Sequence, residues 1–236
     1  MLDGGKTFIT GGRNADRVLV VCRTGTADAD DRRGGLSILV VDNTSPGFTV
    51  GRTLEKIGLH AQDTVELSFS GVRVPVEDRL GEEGAAFGYL AHNLPQERLT
   101  IAVAAVAAAA RAVELATGYA NERRIFGAPL ATFQNSKFVL AECATEVAAA
   151  QAMLDQALAA HDRGELDAVD AAKLKLFTTE VQARVVDRCL QLHGGYGYIT
   201  EYPIARLYAD ARISRIYGGT SEVMKTIVAK SLDLAR

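Results

Sequence analysis

Several short stretches of this 236-residue chain put reactive residue types in orders that could do chemistry. LPQERLT (94–100) sets a carboxylate, Glu97, beside a guanidinium, Arg98. A carboxylate held at a reacting centre is a general base. ERRIFGAPLATFQ (122–134) places Arg123 and Arg124 ahead of Phe126 and Gly127, with Gln134 further on. Phe126-Gly127 followed by Pro129 and Gln134 is a specific order rather than a generic cap. QLHGGYG (191–197) and IYGGTSEV (216–223) each hold a glycine pair, Gly194-Gly195 and Gly218-Gly219. Glycine lets a ligand lie against bare backbone. FITGG (8–12) ends a strand-like run at Thr10.

Each stretch also has a plain structural reading. Thr220 or Ser221 makes a good helix N-cap, with glycine absorbing the turn before it. Gly194-Gly195 after a helix is a C-cap pattern. Arginines in a last helical turn are favoured by the macrodipole. An acid in the first turn of a helix, as expected for Glu97, is favoured in the same way. His193 reads as a packed or capping histidine.

The elements that must position these residues change character near residue 80. Before it, β-branched runs alternate with turn residues: 18–22, 36–41, 48–53, 65–69 and 72–76 read as strands. The separators at 24–35 and 43–47 carry turn chemistry. After Gly81 the pattern is helical. A helix is expected over 94–123, capped by Asn93 with Pro95 in its first turn. Others are expected over 134–162, closed by Gly164, over 168–192, over 204–213, and after Thr220. The fold class is therefore α+β: a partial antiparallel β domain (1–80) followed by an antiparallel helical bundle (81–236).

Composition excludes several classes. Net charge is −3, and the short pairs Arg32-Arg33 and Arg123-Arg124 make no basic patch, so no nucleic-acid surface is expected. No apolar run of about 18 residues escapes charge or glycine, so no membrane span is expected. The 48% hydrophobic and 23% charged content is that of a globular protein. Three cysteines and four histidines far apart in sequence give neither a disulfide framework nor a metal spacing. They point to a reducing, cytoplasmic compartment.

Taken together, the stretches resemble one family, the acyl-CoA dehydrogenases. FITGG resembles the strand end that contacts flavin, although the family more often has Asn where this chain has Gly11. ERRIFGAPLATFQ resembles the segment that reaches the adenosine and pyrophosphate of FAD on a neighbouring subunit. QLHGGYGYITEYPIARLYADAR resembles the signature of the C-terminal domain, and IYGGTSEV the final flavin-binding turn. The resemblance implies FAD as cofactor, with Thr10, Arg123, Phe126, Gln134, Gln191, Gly194, Gly195, Thr220 and Glu222 near it. It also implies an acyl-CoA substrate, electron-transfer flavoprotein as partner and a homo-oligomer, dimer or tetramer.

At the position of Gly218 most of the family carries the glutamate that removes the α-proton. The long-chain and isovaleryl branches carry that acid early in the first long helix of the C-terminal domain, where this chain has Glu97. LPQERL is most similar to the long-chain type. The resemblance thus implies Glu97 as base and Arg98 near the CoA portion. It leaves the backbone N–H of Gly218 to stabilise the developing enolate, and trans-2-enoyl-CoA as product. A flavin oxidase or monooxygenase on the same fold is a weaker reading.

The family also has an N-terminal helical domain and a longer middle β domain, so the resemblance implies that all of the first and part of the second lie outside this sequence. Three arrangements are open: a piece of an ordinary enzyme, one half of a split enzyme, or a non-catalytic relative that serves as an oligomerising scaffold subunit.

Overall fold

The computed structural model describes residues 1–26 and 33–232, which fall in two compact units, Met1–Asn93 and Leu94–Arg236. Residues 27–32, inside the separator at 24–35 and including Arg32, lie outside the described residues.

In the first unit, β1 (Leu2–Thr10), β2 (Arg17–Arg23), β3 (Leu36–Asp42), β4 (Phe48–Thr53), β5 (Thr64–Val72) and β6 (Arg79–Leu80) form two antiparallel sheets. Their strand orders are β1-β5-β4 and β2-β3-β6. Alternation decides the buried face. Val65, Leu67 and Phe69 of β5 point inward and meet Leu2, Val20, Val41 and Phe48 in one core. Phe48 and Phe69 tilt against each other with ring centroids 5.3 Å apart. The run at 72–76 is not a strand of its own. Val72 ends β5, Pro75 has no N–H for a ladder, and Val76–Asp78 forms a 3-10 turn.

The second unit is helical. It holds α1 (Ala86–Glu122, shared across the boundary), α2 (Gln134–Asp162), α3 (Ala168–His193), α4 (Pro203–Ala211) and α5 (Ser221–Lys230). A two-residue hairpin of β7 (Arg124–Ile125) and β8 (Ala128–Pro129) joins α1 to α2. The expected start of α1 is wrong: the helix begins at Ala86, Asn93 is inside it, and Pro95 sits in its interior. Proline suits a first turn, so it looked like a start signal. Here it only withdraws the donor for the Ala91 carbonyl.

Leu99, Ala102, Val106, Ala109, Ala112 and Ala116 recur every three or four residues along α1 and are all buried. They meet Cys143, Ala150 and Leu154 of α2, Leu174, Val181 and Val185 of α3, and Ile204 of α4. By length and composition α1 could also cross a membrane, which the sequence reading did not anticipate. Its charged residues Arg111 and Glu114 pair with each other at 2.6 Å on the helix surface. The core-facing stripe accounts for part of that apolar content, while Val103 on another face is exposed. Cys143 and Cys189, 46 positions apart in sequence, are brought together in the core between α2 and α3, where each influences the other's thiol: the pKa of Cys143 is shifted down and that of Cys189 up.

The helix ends follow their capping residues. Gly164, at φ 71°, closes α2, with its N–H on the His161 carbonyl at 2.9 Å. Asp167 opens α3, its carboxylate accepting from the Val169 and Asp170 amides, each at 2.8 Å. Asp167→Ala is expected to lower the stability of the protein by about 1 kcal/mol, read as a shift in the urea midpoint with an unchanged slope.

Candidate active site

Glu97, Arg98 and Ile101 leave α1 within little more than one turn. Glu97 is exposed. Arg98 is 5% exposed, and its Nε donates to the Gly218 carbonyl at 3.4 Å. Ile101 stands one turn beyond Glu97 on the same face. It packs directly on the glycine pair: a Cβ built on Gly218 would lie 2.4 Å from Ile101 Cδ1. The carboxylate therefore projects from the helix face that covers the Gly218 turn. Glu97 is about three turns in from Ala86, not in the first turn as expected. The field of a helix N-terminus fades within one turn, so that explanation for an acid here no longer applies.

The turn itself, Tyr217–Thr220, needs glycine twice. Gly218 has φ 63° and Gly219 φ 98°, which L side chains rarely adopt. Lys175 of α3 donates to the Gly219 carbonyl at 2.7 Å. Burial lowers the pKa of Arg98 from its usual value. Burial, with Arg98 nearby, brings Lys175 down to about 8. Thr220 then caps α5, its hydroxyl accepting from the Val223 amide at 3.4 Å. The carboxyl of Glu222 is held below the usual range by its own backbone N–H and by the Thr220 hydroxyl. Ser221 Oγ donates to Glu180 at 2.8 Å, and Arg215 reaches the same carboxylate at 3.4 Å.

A second feature lies at the other end of α1. A cleft of about 460 Å³ is lined by Tyr119, Arg123, Gln191, His193, Gly194 and Gly195 among others. Gly194 has φ 56°, and a Cβ on either glycine would meet nothing within 4 Å. The floor is uncovered backbone. The Arg123 guanidinium stands 5.4 Å from the centroid of the Tyr196 ring. His193 is 4% exposed, stacked 4.4 Å from Tyr119, and its Nδ1 hydrogen-bonds the Cys189 carbonyl at 2.8 Å. Burial pushes its pKa down, so it is a neutral packed histidine.

Phe126 and Gln134 do not line this cleft. Phe126, φ 48°, and Gly127, φ 83°, form the primed turn of the β7–β8 hairpin and leave Phe126 93% exposed. Gln134 is the exposed first residue of α2. Thr10 is in the first unit, the exposed last residue of β1, paired opposite Thr64. Glu97 and Tyr119 are separated by about 33 Å along the uninterrupted length of α1. The base candidate and the arginine-lined cleft are thus two places on the second unit.

Sequence reasoning missed Lys175, Ile101, Tyr119 and Tyr196. Lys175 had a legible signal. It falls in the stripe Ala171, Lys175, Thr178, Gln182, Val185, Cys189, every member of which is buried. Gly218→Ala is expected to cost about 1–2 kcal/mol for the left-handed backbone, with an overpacking cost against Ile101 on top. Ile101→Val removes the offending methyl, so the double variant should be less destabilised than the two single costs summed, as read from urea midpoints.

The comparisons bear on the whole described chain. Residues 85–232 match the model of the acyl-CoA dehydrogenase C-terminal domain, and residues 1–72 that of the middle domain. The chain is 44% identical to the mitochondrial long-chain specific acyl-CoA dehydrogenase of Sus scrofa, over 98% of this chain and 54% of that one. It superposes on the acyl-CoA dehydrogenase of Geobacillus kaustophilus with a TM-score of 0.95 and 47% identity, over 98% of this chain and 61% of that one. For the butyryl-CoA dehydrogenase of Megasphaera elsdenii the TM-score is 0.91 at 36% identity, over 98% and 59%. The chain spans about half the length of the curated long-chain relatives it matches.

Proposed function

Because the chain belongs to the acyl-CoA dehydrogenase family, we propose that it carries out the FAD-dependent α,β-dehydrogenation of an acyl-CoA thioester to the trans-2-enoyl-CoA. The observation that carries this reading is the exposed Glu97 on the helix face that covers an acid-free Gly218 turn.

The residues fit FAD. The cleft at Gly194-Gly195 offers bare backbone, a guanidinium and aromatic faces, the donor set for a pyrophosphate with an adenine beside it. Arg123, Gln191, Gly194 and Gly195 would hold that end, with Phe126 and Gln134 on the adjoining hairpin and helix. Thr220 and Glu222 would contact the flavin end. The cleft and Glu97 lie far apart along α1, and, as the resemblance implies, the cleft would serve FAD seated on another copy in a homo-oligomer.

Bound FAD supplies the acceptor for the hydride from Cβ. Glu97 takes the proton from Cα, the two carbons form the double bond, and the pair of electrons from the Cβ–H bond leaves with the hydride. The Gly218 N–H donates to the thioester oxygen as negative charge develops there, an interaction worth about 3 kcal/mol. The glycine keeps that donor without adding a side chain. Electron-transfer flavoprotein would reoxidise the cofactor, and the buried free thiols Cys143 and Cys189 suit the cytoplasm.

Glu97→Gln is expected to retain FAD through gel filtration and to lose at least about 10²-fold in the rate at which octanoyl-CoA or palmitoyl-CoA bleaches the flavin anaerobically. A variant that bleaches at the unchanged rate would remove Glu97 from its role. A wild-type chain that retains no FAD would favour the scaffold subunit instead.

A further inference from the structure

Lys175 is an unusual residue to find where it is. It is fully buried on α3, the largest side chain among the described residues with so little exposure. Burying an ammonium is unfavourable unless a carboxylate compensates it. Among the described residues, no ion pair includes Lys175. Its hydrogen bond goes to a neutral carbonyl, that of Gly219, at 2.7 Å. The charges that face it come from each neighbouring element. Arg98 comes from α1, Glu222 from α5 and Glu180 from α3 itself, and Glu180 is already engaged by Ser221 and Arg215. A second buried cation, Arg98, holds the preceding carbonyl, that of Gly218.

Two cations on two successive carbonyls have a geometric consequence. In a trans peptide the N–H points opposite to the C=O. The Gly218 carbonyl shares its peptide with the Gly219 N–H, and the Gly219 carbonyl with the Thr220 N–H. Drawing both oxygens onto Arg98 and Lys175 turns both amides away from those cations. The turn is then fixed in its left-handed conformation under Ile101, on the face that carries Glu97.

We propose that Lys175, together with Arg98, is a positioning residue for the reaction: it anchors the Gly218-Gly219 turn by its carbonyls and so fixes the left-handed turn at whose first residue the Gly218 N–H meets the thioester on which Glu97 acts. This rests on the dehydrogenase reading above. A lysine kept only for packing would not need its charge, and at this site the charge works against the fold.

The pH dependence separates the two roles. The ammonium titrates near 8 in the fold and near 10.5 in the unfolded chain. Between those values the unfolded state binds more protons, so raising pH through the window stabilises the fold. The same deprotonation weakens the anchor on Gly219. Stability and reaction rate should therefore move in opposite directions from pH 7.5 to 9.5.

The test measures, for wild type, Lys175→Met and Lys175→Gln, the urea midpoint of the FAD-free protein and the rate of flavin bleaching by octanoyl-CoA across that range. In wild type the midpoint should rise with pH while the rate falls. In Lys175→Met the Lys175-dependent rise should vanish, and bleaching at pH 7.5 should be slower by about tenfold with KM within about twofold. Lys175→Gln, which still donates a hydrogen bond, should recover part of the rate without the alkaline decline, and it serves if Lys175→Met does not fold. Rates for Lys175→Met and Lys175→Gln equal to wild type across the range would overturn the positioning role alone. A wild type that never bleaches would overturn the dehydrogenase reading and this inference with it, whatever the urea midpoints show.

Discussion

The burial of one face of α1 is the constraint on which the second unit depends. Ala102, Ala109, Ala112 and Ala116 on that face are completely buried, in the core shared with α2, α3 and α4. A close-packed interior leaves the helix little freedom to shift, so what α1 carries is positioned by that packing. At one end it sets Ile101 and Arg98 against the Gly218 turn. At the other it sets Tyr119 on His193, where the tyrosine hydroxyl also donates to the His193 carbonyl at 3.2 Å. A single helix thus carries the geometry of both functional places, and a larger residue in its alanine stripe would disturb both.

Electrostatics on the two sides of the bundle differ in kind. Between α2 and α3, Arg184 bonds Glu146 at 2.7 Å and Arg188 bonds Glu142, on a surface open to water. Such pairs contribute a few tenths of a kcal/mol each and are screened by salt. Arg98 and Lys175 are enclosed instead, with carbonyl oxygens as partners. There the charge is unscreened, which makes it costly to the fold and strong in its effect on the peptide groups it touches.

Local signals in the sequence were most legible where one residue decides the backbone. Thr220 as a cap, Gly164 as a helix end and the full extent of α2 from Gln134 to Asp162 were all readable, because capping and left-handed glycines leave few alternatives. The true start of α1 was not, since Pro95 carries the same signal in a first turn as in a tolerated interior position. The strand at 72–76 failed on the opposite count: its valines suit a strand, while Pro75 cannot join a ladder. For the site, Glu97 and Gly218 could be paired only through resemblance, as nothing local links residues so distant in the chain. The adjacency of Cys143 and Cys189 was invisible for the same reason. Lys175 was overlooked because lysine is normally a surface residue, although its place in a buried stripe could have corrected that.

The contact between Ile101 and Gly218 has a historical side. The resemblance described for the sequence places the acid of most of the family where this chain has Gly218. A single substitution could write a glutamate back at that position, but the space its Cβ needs is already taken by Ile101, and the backbone there is in a region that disfavours any side chain. Return would require the isoleucine to change first, and that change by itself opens a hole over the turn. Under the proposed assignment of the base to Glu97, the packing of Ile101 on Gly218 thus holds the acid to α1 as firmly as the chemistry does.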